Sequence, residues 1–102
     1  MNKSVSIIIP AYNEEKKLAP TVDFALASLN KNDISNFEIL IFDDASTDRT
    51  GEVADELAKK HPQIRVIHNS KNMNLGYNIT RGFELAAKEY SGFLPGDNET
   101  DP

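Results

Sequence analysis

The fold is decided by a stretch near the amino terminus, Ser4-Val-Ser-Ile-Ile-Ile9, which is rich in β-branched residues and is followed by a proline. This composition predicts a β-strand. Its three consecutive isoleucines indicate that both faces of the strand are covered, as in a parallel sheet. A second stretch of the same kind, Phe37-Glu-Ile-Leu-Ile-Phe42, is halted by two aspartates. The two stretches therefore predict two strands of one parallel sheet.

Apolar residues at helical spacing separate these strands. From about Glu14 to Leu29 the apolar positions recur every three or four residues, which predicts an amphipathic helix. The other predicted elements are a second helix that stops before Pro62, a third strand Ile64–His68, a third helix from Gly76 to Ala87 and a fourth strand Ser91–Leu94.

The order β-α-β-α-β-α-β predicts an α/β fold, a Rossmann-like open parallel sheet with helices on both faces. If the first three units wind in one direction and the fourth strand joins beside the first, the strand order is 3-2-1-4. The direction of winding then reverses between strands 1 and 4. Ligands bind at such a switch point, outside the carboxyl ends of the strands.

Composition narrows the class of protein. The chain has 102 residues, which suits one domain over 1–102, and its formal net charge is −5 with no basic cluster larger than a pair. We therefore expect no binding to nucleic acid. There are no cysteines, no apolar run approaches the ~20 residues of a membrane span, and the first apolar run is too short for a signal peptide. These features fit a cytoplasmic protein.

Three polar segments follow the predicted ends of strands 1, 2 and 4. They are Pro10-Ala-Tyr-Asn-Glu-Glu15, Asp43-Asp-Ala-Ser-Thr-Asp48 and Pro95-Gly-Asp-Asn-Glu-Thr-Asp101. By the predicted topology all three converge on one edge of the sheet. Because like charges gathered in a cleft repel one another unless a cation holds them, this convergence is the strongest functional signal in the sequence.

Asp97 and Glu99 are candidate metal ligands. In an extended segment, side chains two positions apart point to the same side. Two such carboxylates suit a hard divalent cation, Mg2+ or Mn2+, which would neutralise a departing diphosphate. The alternative is a solvated turn, and the position after the fourth strand favours the metal site. His61 and His68 lack ligand-like spacing and are interpreted as surface or strand residues.

The pair Asp43 and Asp44 has two interpretations. One of them can accept a hydrogen bond from a base imide or a ribose hydroxyl, and spacing does not say which. Alternatively the segment caps the second helix through Ser46, Thr47 or Asp48. Both can hold, with Asp48 the cap.

Tyr12, Asn13 and Glu14 place an aromatic ring beside an amide and an acid, which suits stacking against a base and bonding to its edge. The alternative is a helix start, with Asn13 as the cap.

These motifs together resemble a known family. A strand followed by Pro10–Glu15, a strand followed by Asp43–Asp48, and Asn74-Leu-Gly76 before a helix ending at Ala86-Ala87 resemble the family 2 glycosyltransferases of GT-A fold. The resemblance covers essentially the whole chain in the right order. A dinucleotide-binding domain fits poorly, since the turn after the first strand has no glycine.

The resemblance implies a site for a nucleotide-diphosphate sugar, a UDP- or GDP-sugar. The residues it implies for the nucleoside are Pro10, Ala11, Tyr12, Asn13, Glu14 and one of Asp43 and Asp44. Asp97 and Glu99 would stand at the family's metal-binding D-x-D motif and hold Mg2+ or Mn2+. Glu99 departs from that motif by one methylene.

The resemblance also implies groups beyond this sequence. Family members have a further acceptor-binding portion with the general base, so no catalytic residue is expected here and 1–102 is read as the donor-binding half, a truncated GT-A domain. The first motif is most similar to enzymes acting on polyprenyl phosphates, such as dolichyl-phosphate mannosyltransferases, which implies association with the cytoplasmic face of a membrane.

The open edge of the fourth strand predicts self-association. The alternative function is a nucleotide-binding or interaction domain without transfer activity.

Overall fold

A computed structural model describes residues 3–95. Seven elements alternate along this described part of the chain: β1 (Ser4–Ala11), α1 (Leu18–Lys31), β2 (Asn36–Asp43), α2 (Thr50–Lys60), β3 (Ile64–His68), α3 (Leu75–Leu85) and β4 (Tyr90–Phe93). Among these residues, no helix has the length and apolar character to cross a membrane.

The four strands form one parallel sheet in the order β3-β2-β1-β4. The predicted element order, strand order and parallel direction are thus confirmed. β1 lies beside β2 along its whole length, with Ala11 opposite Asp43, and beside β4 over four residues. The segments that follow β1 and β2 therefore leave the sheet side by side.

The sheet is covered on both faces, as its consecutive apolar residues require. Odd-numbered residues of β1 and β2 face α1 and α2, where the main core lies: Ile9, Ile39 and Ile41 pack with Leu18, Val22, Ala25, Ala54 and Leu57. Even-numbered residues face α3, and Ile8, Leu40 and Phe42 form a smaller buried cluster there. α3 approaches β1 closely at Gly82, where an added Cβ would lie 2.5 Å from Ile8 Cγ1.

Two helix bounds differ from those expected. α1 begins at Leu18 rather than Glu14, because the chain turns at Asn13 (φ 52°) and the Glu14 carbonyl then accepts from the Lys17 and Leu18 amides. α3 ends at Leu85 rather than Ala87. The Ala86 backbone is extended, and the Ala87 amide donates to Glu38 Oε2 at 2.6 Å on β2.

Candidate functional site

The loops after β1 and β2 are joined by hydrogen bonds at the carboxyl edge of the sheet. The side-chain Oδ1 of Asn13 accepts from the Thr47 backbone amide at 2.9 Å, and the backbone amide of Asn13 donates to Ser46 Oγ at 3.1 Å. The Glu14 amide donates to Thr50 Oγ1 at 2.7 Å. Of the three segments that the sequence predicts to converge, the two after β1 and β2 therefore do so through direct contacts. Residues 96–101 of the third segment lie outside the described residues.

Both loops contain a residue in the left-handed region. Asn13 has φ 52° and Ala45 has φ 60°. Asparagine tolerates this region, whereas alanine adopts it only where the surroundings impose it. A hydrogen bond spans Ala45 and holds it in this region, because the Ser46 amide donates to Asp43 Oδ1 at 3.1 Å.

Asp44 is a buried carboxylate on the α3 side of the sheet edge, with 4% of its surface exposed. It accepts from Asn69 Nδ2 at 2.9 Å, from the Met73 amide at 2.8 Å and from the Asn74 amide at 3.0 Å. Burial by itself would raise the pKa of Asp44, but the hydrogen bonds from Met73, Asn69 and Asn74 outweigh it and hold the pKa below its ordinary value. Asp44 is therefore an ionised group that organises the loop between β3 and α3.

Two asparagines continue this network into α3. Asn78 is buried, and its Oδ1 accepts from Asn69 Nδ2 at 2.7 Å. Asn74 caps the helix, because its Oδ1 accepts from the Tyr77 amide at 2.9 Å. The cap fixes the start of α3 against the Asp44 loop.

A cavity of about 100 Å³ opens beside Asp44, and we call it the Asp44 cavity. Its lining residues are Pro10, Ala11, Tyr12, Asp44, Leu75 and Asn78. Tyr12 and Leu75 are each about half exposed, so they stand as walls at its mouth. The cavity thus combines an aromatic face with a buried acceptor, an arrangement that suits a flat ring bearing N–H donors.

A second, larger cavity of about 470 Å³ lies beside α1, and we call it the Glu14 cavity. Its lining residues are Asn13, Glu14, Glu15, Lys16, Lys17 and Asp48. The structure therefore divides the predicted nucleoside residues: Pro10, Ala11, Tyr12 and Asp44 line one cavity, whereas Asn13 and Glu14 line the other.

Asp43 faces away from both cavities toward α2, which gives the two adjacent aspartates different surroundings. Its Oδ2 lies 2.9 Å from His68 Nδ1, and His68 Nε2 lies 2.9 Å from Asp55 Oδ1. Hydrogen bonds to Asp43 and Asp55 raise the pKa of His68 above its ordinary value. Of the two adjacent aspartates, Asp44 lines the Asp44 cavity and Asp43 lines neither cavity.

Neither helix-cap interpretation agrees with the structure. Asp48 Oδ1 accepts from the Thr50 amide at 2.9 Å, but the residue at the cap position of α2 is Arg49 and no side chain caps that helix. Asn13 does not cap α1, which starts after Lys17 without a side-chain cap, because its oxygen is used by the β2–α2 loop. The predicted metal ligands Asp97 and Glu99 lie outside the described residues. Within residues 3–95 no group of three or more His, Asp or Glu side chains is placed to hold a metal ion.

Sequence reasoning missed the polar groups between β3 and α3. Asn69 and Asn78 complete the Asp44 network, and His68 holds Asp43. The concentration of asparagines in the segment 69–78 is a signal that could have marked this loop. His68 gave none, because its partners are 25 and 13 residues away.

Comparison with known protein families assigns this chain to one of them. The profile of glycosyl transferase family 2 matches residues 6–102, and the chain belongs to that family. Among curated relatives, it is 38% identical over 94 residues to the uncharacterized glycosyltransferase EpsJ of Bacillus subtilis, covering 92% of this chain and 26% of that protein. It is also 38% identical over 101 residues to the dolichol-phosphate mannosyltransferase of Pyrococcus furiosus, covering 96% of this chain and 27% of the relative. The chain thus spans about a quarter of the length of these relatives.

Solved glycosyltransferases share the fold. S. aureus TarS 1-349 in complex with UDP-GlcNAc superposes with a TM-score of 0.75 at 29% identity, over 95% of this chain and 27% of that one. The mannosyltransferase PcManGT from Pyrobaculum calidifontis, in complex with GDP-Man and Mn2+, superposes with a TM-score of 0.76 at 20% identity, over 95% and 28% of the two chains. The architecture is that of the GT-A glycosyltransferases.

Proposed function

We propose that this protein transfers a sugar from a nucleotide-diphosphate sugar, and that residues 1–102 form its donor-binding half. The observation that carries the proposal is the Asp44 cavity, which lies at the carboxyl ends of β1 and β2. It is adjacent to the switch point of the sheet, because the direction of winding reverses between β1 and β4. At about 100 Å³ it is smaller than a site that encloses a whole ligand, so it fits one ring with the rest of the donor on the adjoining surface.

In this proposal the cavity holds the nucleobase. The Tyr12 ring stacks against the base, because aromatic faces favour offset stacking. An ionised carboxylate has acceptors only, so Asp44 selects a base edge that presents an N–H group, such as the imide of uracil or the corresponding edge of guanine. Asp44 Oδ2 accepts from Asn74, and a carboxylate oxygen has room for a second donor.

The relatives support this assignment of the donor. TarS, at 29% identity, has been solved with UDP-GlcNAc and with UDP. The mannosyltransferase of the same fold was solved with GDP-Man. A UDP- or GDP-sugar is therefore the donor class we propose for this chain, with the choice of base made at the Asp44 cavity.

We propose Asp97 and Glu99 as the ligands of Mg2+ or Mn2+. The support is their spacing, two positions apart after β4, and the Mn2+ of the mannosyltransferase complex. A bound divalent cation supplies neutralisation of the diphosphate charge. Tight donor binding by this chain should then require added metal, and the Asp97→Asn variant should bind the donor equally with and without it.

For the acceptor we propose a polyprenyl phosphate, used at the cytoplasmic face of a membrane. The support is the set of relatives named for dolichyl-phosphate sugar transfer, among them a dolichyl-phosphate beta-glucosyltransferase of Trichomonas vaginalis that is 37% identical over 81 residues. Sugar transfer by the protein to dolichyl phosphate, compared with a soluble glycan acceptor, distinguishes this acceptor from others.

Calorimetric titration tests the donor site. We expect the chain to bind UDP or GDP in the presence of MnCl2, and Tyr12→Ala to weaken that binding about tenfold through lost stacking. Tyr90→Ala is the matched control, because Tyr90 is as exposed as Tyr12 but lies on β4 away from the cavity. If the chain binds neither UDP nor GDP, the donor-site proposal is wrong. Binding without sugar transfer by the protein would favour a non-catalytic nucleotide-binding domain.

Self-association through β4 is the last proposal about partners. β4 is an outer strand of the described sheet, and its Tyr90 and Phe93 are about half exposed. An apolar groove of about 260 Å³ runs between this edge and Phe24 of α1. We expect the apparent mass in light scattering to rise with concentration, and Phe93→Lys to suppress the rise. A monomer at all concentrations would contradict it.

A further inference from the structure

His68 bridges two carboxylates from different elements. It is the last residue of β3, and its two ring nitrogens each lie 2.9 Å from a carboxylate oxygen, Nδ1 from Asp43 on β2 and Nε2 from Asp55 on α2. An ionised carboxylate only accepts hydrogen bonds, so both contacts are made at once only when both ring nitrogens carry a proton. A neutral ring would turn a lone pair toward one of the two carboxylates. The geometry is therefore that of an imidazolium.

The space for this bridge is made by α2. A Cβ at Gly51, one turn before Asp55, would lie 2.7 Å from Asp43 Oδ2 and 3.3 Å from His68 Cε1. The charged groups that face the ring are Asp43 from β2 and Asp55 from α2, and the cation of Lys59 follows one helical turn beyond Asp55. Both facing charges are negative, which favours the protonated ring.

The bridge reaches the β1 loop through a short relay. The other oxygen of Asp43 accepts from the Ser46 amide at 3.1 Å, across Ala45 in its left-handed conformation. Ser46 Oγ in turn accepts from the Asn13 amide at 3.1 Å, and Asn13 directly follows Tyr12. Fixing the Asp43 carboxylate therefore fixes the turn on which the Tyr12 segment rests.

We propose that His68 is a positioning residue of the donor site, in which the doubly protonated ring holds Asp43 and thereby the Ser46 and Asn13 contacts that place Tyr12. The inference rests on the proposed function, since it needs a donor nucleotide at the Asp44 cavity. Its consequence is that donor binding strengthens as the ring gains its second proton and weakens as that proton is lost.

The test measures donor affinity against pH by calorimetry. UDP-glucose and GDP-mannose are the probes, because a diphosphate diester neither gains nor loses a proton near neutral pH and the ligand stays the same throughout. We expect the affinity of the wild-type chain to fall about fivefold between about pH 6 and about pH 8.5, within the range of coupling between linked sites. His68→Gln should bind with one weaker affinity at both values. His61→Gln, a substitution of the chain's other histidine, should keep the wild-type slope.

Asp55→Asn gives a second variant that acts only through the ring. The Asp55 side chain is about half exposed and belongs to neither cavity, so its loss should leave the chain folded. We expect it to lower the pKa of His68 in an NMR titration of the imidazole Cε1–H and to move the midpoint of donor binding to lower pH by the same amount. Reciprocity also requires UDP-glucose to raise the pKa of His68 in the wild type.

The outcomes separate the two proposals. If neither nucleotide sugar binds at any pH, the donor site fails and the role of His68 fails with it. If they bind with the same affinity at both pH values, or if His68→Gln keeps the wild-type slope, the donor site stands and the positioning role is overturned. A midpoint of donor binding that Asp55→Asn leaves in place would overturn it in the same way.

Discussion

The two faces of the sheet are built differently. Among residues 3–95, the face covered by α1 and α2 contains ten buried apolar residues in one cluster, whereas the face covered by α3 contains three. On the thinner face, Leu75, Tyr77 and Phe83 of α3 remain about half exposed. The contrast indicates that the α1–α2 face supplies most of the stability, and that the α3 face leaves room for the Asp44 cavity.

The same contrast continues at the carboxyl edge. Asp43 and Asp44 are adjacent in sequence, yet they lie on opposite faces because side chains alternate along an extended chain. Asp43 is held by His68 and Ser46 on the α2 side, and Asp44 lines the cavity on the α3 side. Neighbouring residues of one type thus have different roles.

The largest expected effect comes from the α1–α2 face. Ile41→Ala removes a fully buried side chain there and should lower the free energy of unfolding by about 3–4 kcal/mol through lost burial and a new cavity. Phe83→Ala, a larger deletion on the half-exposed surface of α3, should lower it by less than about 1 kcal/mol. Urea unfolding measures both, and equal losses would remove the distinction between the faces.

Asp44→Asn tests the network on the α3 face. In this variant a side-chain NH2 group replaces one carboxylate oxygen and faces N–H groups that donate hydrogen bonds to Asp44 in the wild type. The free energy of unfolding should therefore fall by about 2–3 kcal/mol. Asp23→Asn on the exposed surface of α1 is the control, with a change below about 0.5 kcal/mol.

The effect of Asp44 should also depend on pH. Because the folded pKa of Asp44 is below its ordinary value, its stabilisation is fully present above the ordinary pKa and is lost as the pH falls through the folded one. The difference between wild type and Asp44→Asn should therefore shrink in acid, as measured by urea unfolding over the acid range. A constant difference would contradict the assignment.

Gly82→Ala tests the close approach of α3 to β1. The added methyl group would lie 2.5 Å from Ile8 Cγ1, so one element must shift and the free energy of unfolding should fall by about 1–3 kcal/mol. Gly92→Ala on β4, where no atom lies within 4 Å of the added Cβ, is the control and should have little effect in thermal melts. Similar losses at both glycines would show that the contact is not tight.

The smallest expected effect is that of His68 on stability. Its folded pKa is raised, so its stabilisation is complete below the ordinary histidine pKa and is lost as the pH rises through the folded value. Because 45% of the side chain is exposed, solvent screens the charges and the loss should stay below about 1 kcal/mol. The dependence should disappear in His68→Gln, and its persistence there would assign it to other groups.

Local patterns predicted the elements and their order well. Runs of consecutive apolar residues marked β1 and β2 as covered on both faces, and the alternation of strands with helices indicated a parallel sheet, which is confirmed. The predicted start of α1 was wrong, since the Asn13 side chain accepts a hydrogen bond from a loop 34 residues away instead of capping the next helix. Helix bounds follow local pattern only where no distant partner competes for the capping group.

The edge of the sheet shows the same limit. Two adjacent aspartates read alike in sequence, and the pairing register with β1 decides which face each one meets. The partners of Asp44 come from the 69–74 loop, 25 to 30 positions along the chain. That carboxylates would gather here could be predicted from the topology. The division of the site into two cavities could not, since it depends on which side chains cross between the loops.

An amide-resolved NMR titration of the 15N-labelled chain with UDP and with GDP, in the presence of Mg2+, tests the central claim most directly. We expect the largest shifts, for at least one nucleotide, at the amides around the Asp44 cavity: Ala11, Tyr12, Asp44, Leu75 and Asn78. The resonances of amides at the opposite edge of the sheet, such as those of Ser4, Glu38 and Ala87, should not shift. Shifts confined to that opposite edge or to the Glu14 cavity, or no shifts with either nucleotide, would contradict a donor site at Asp44.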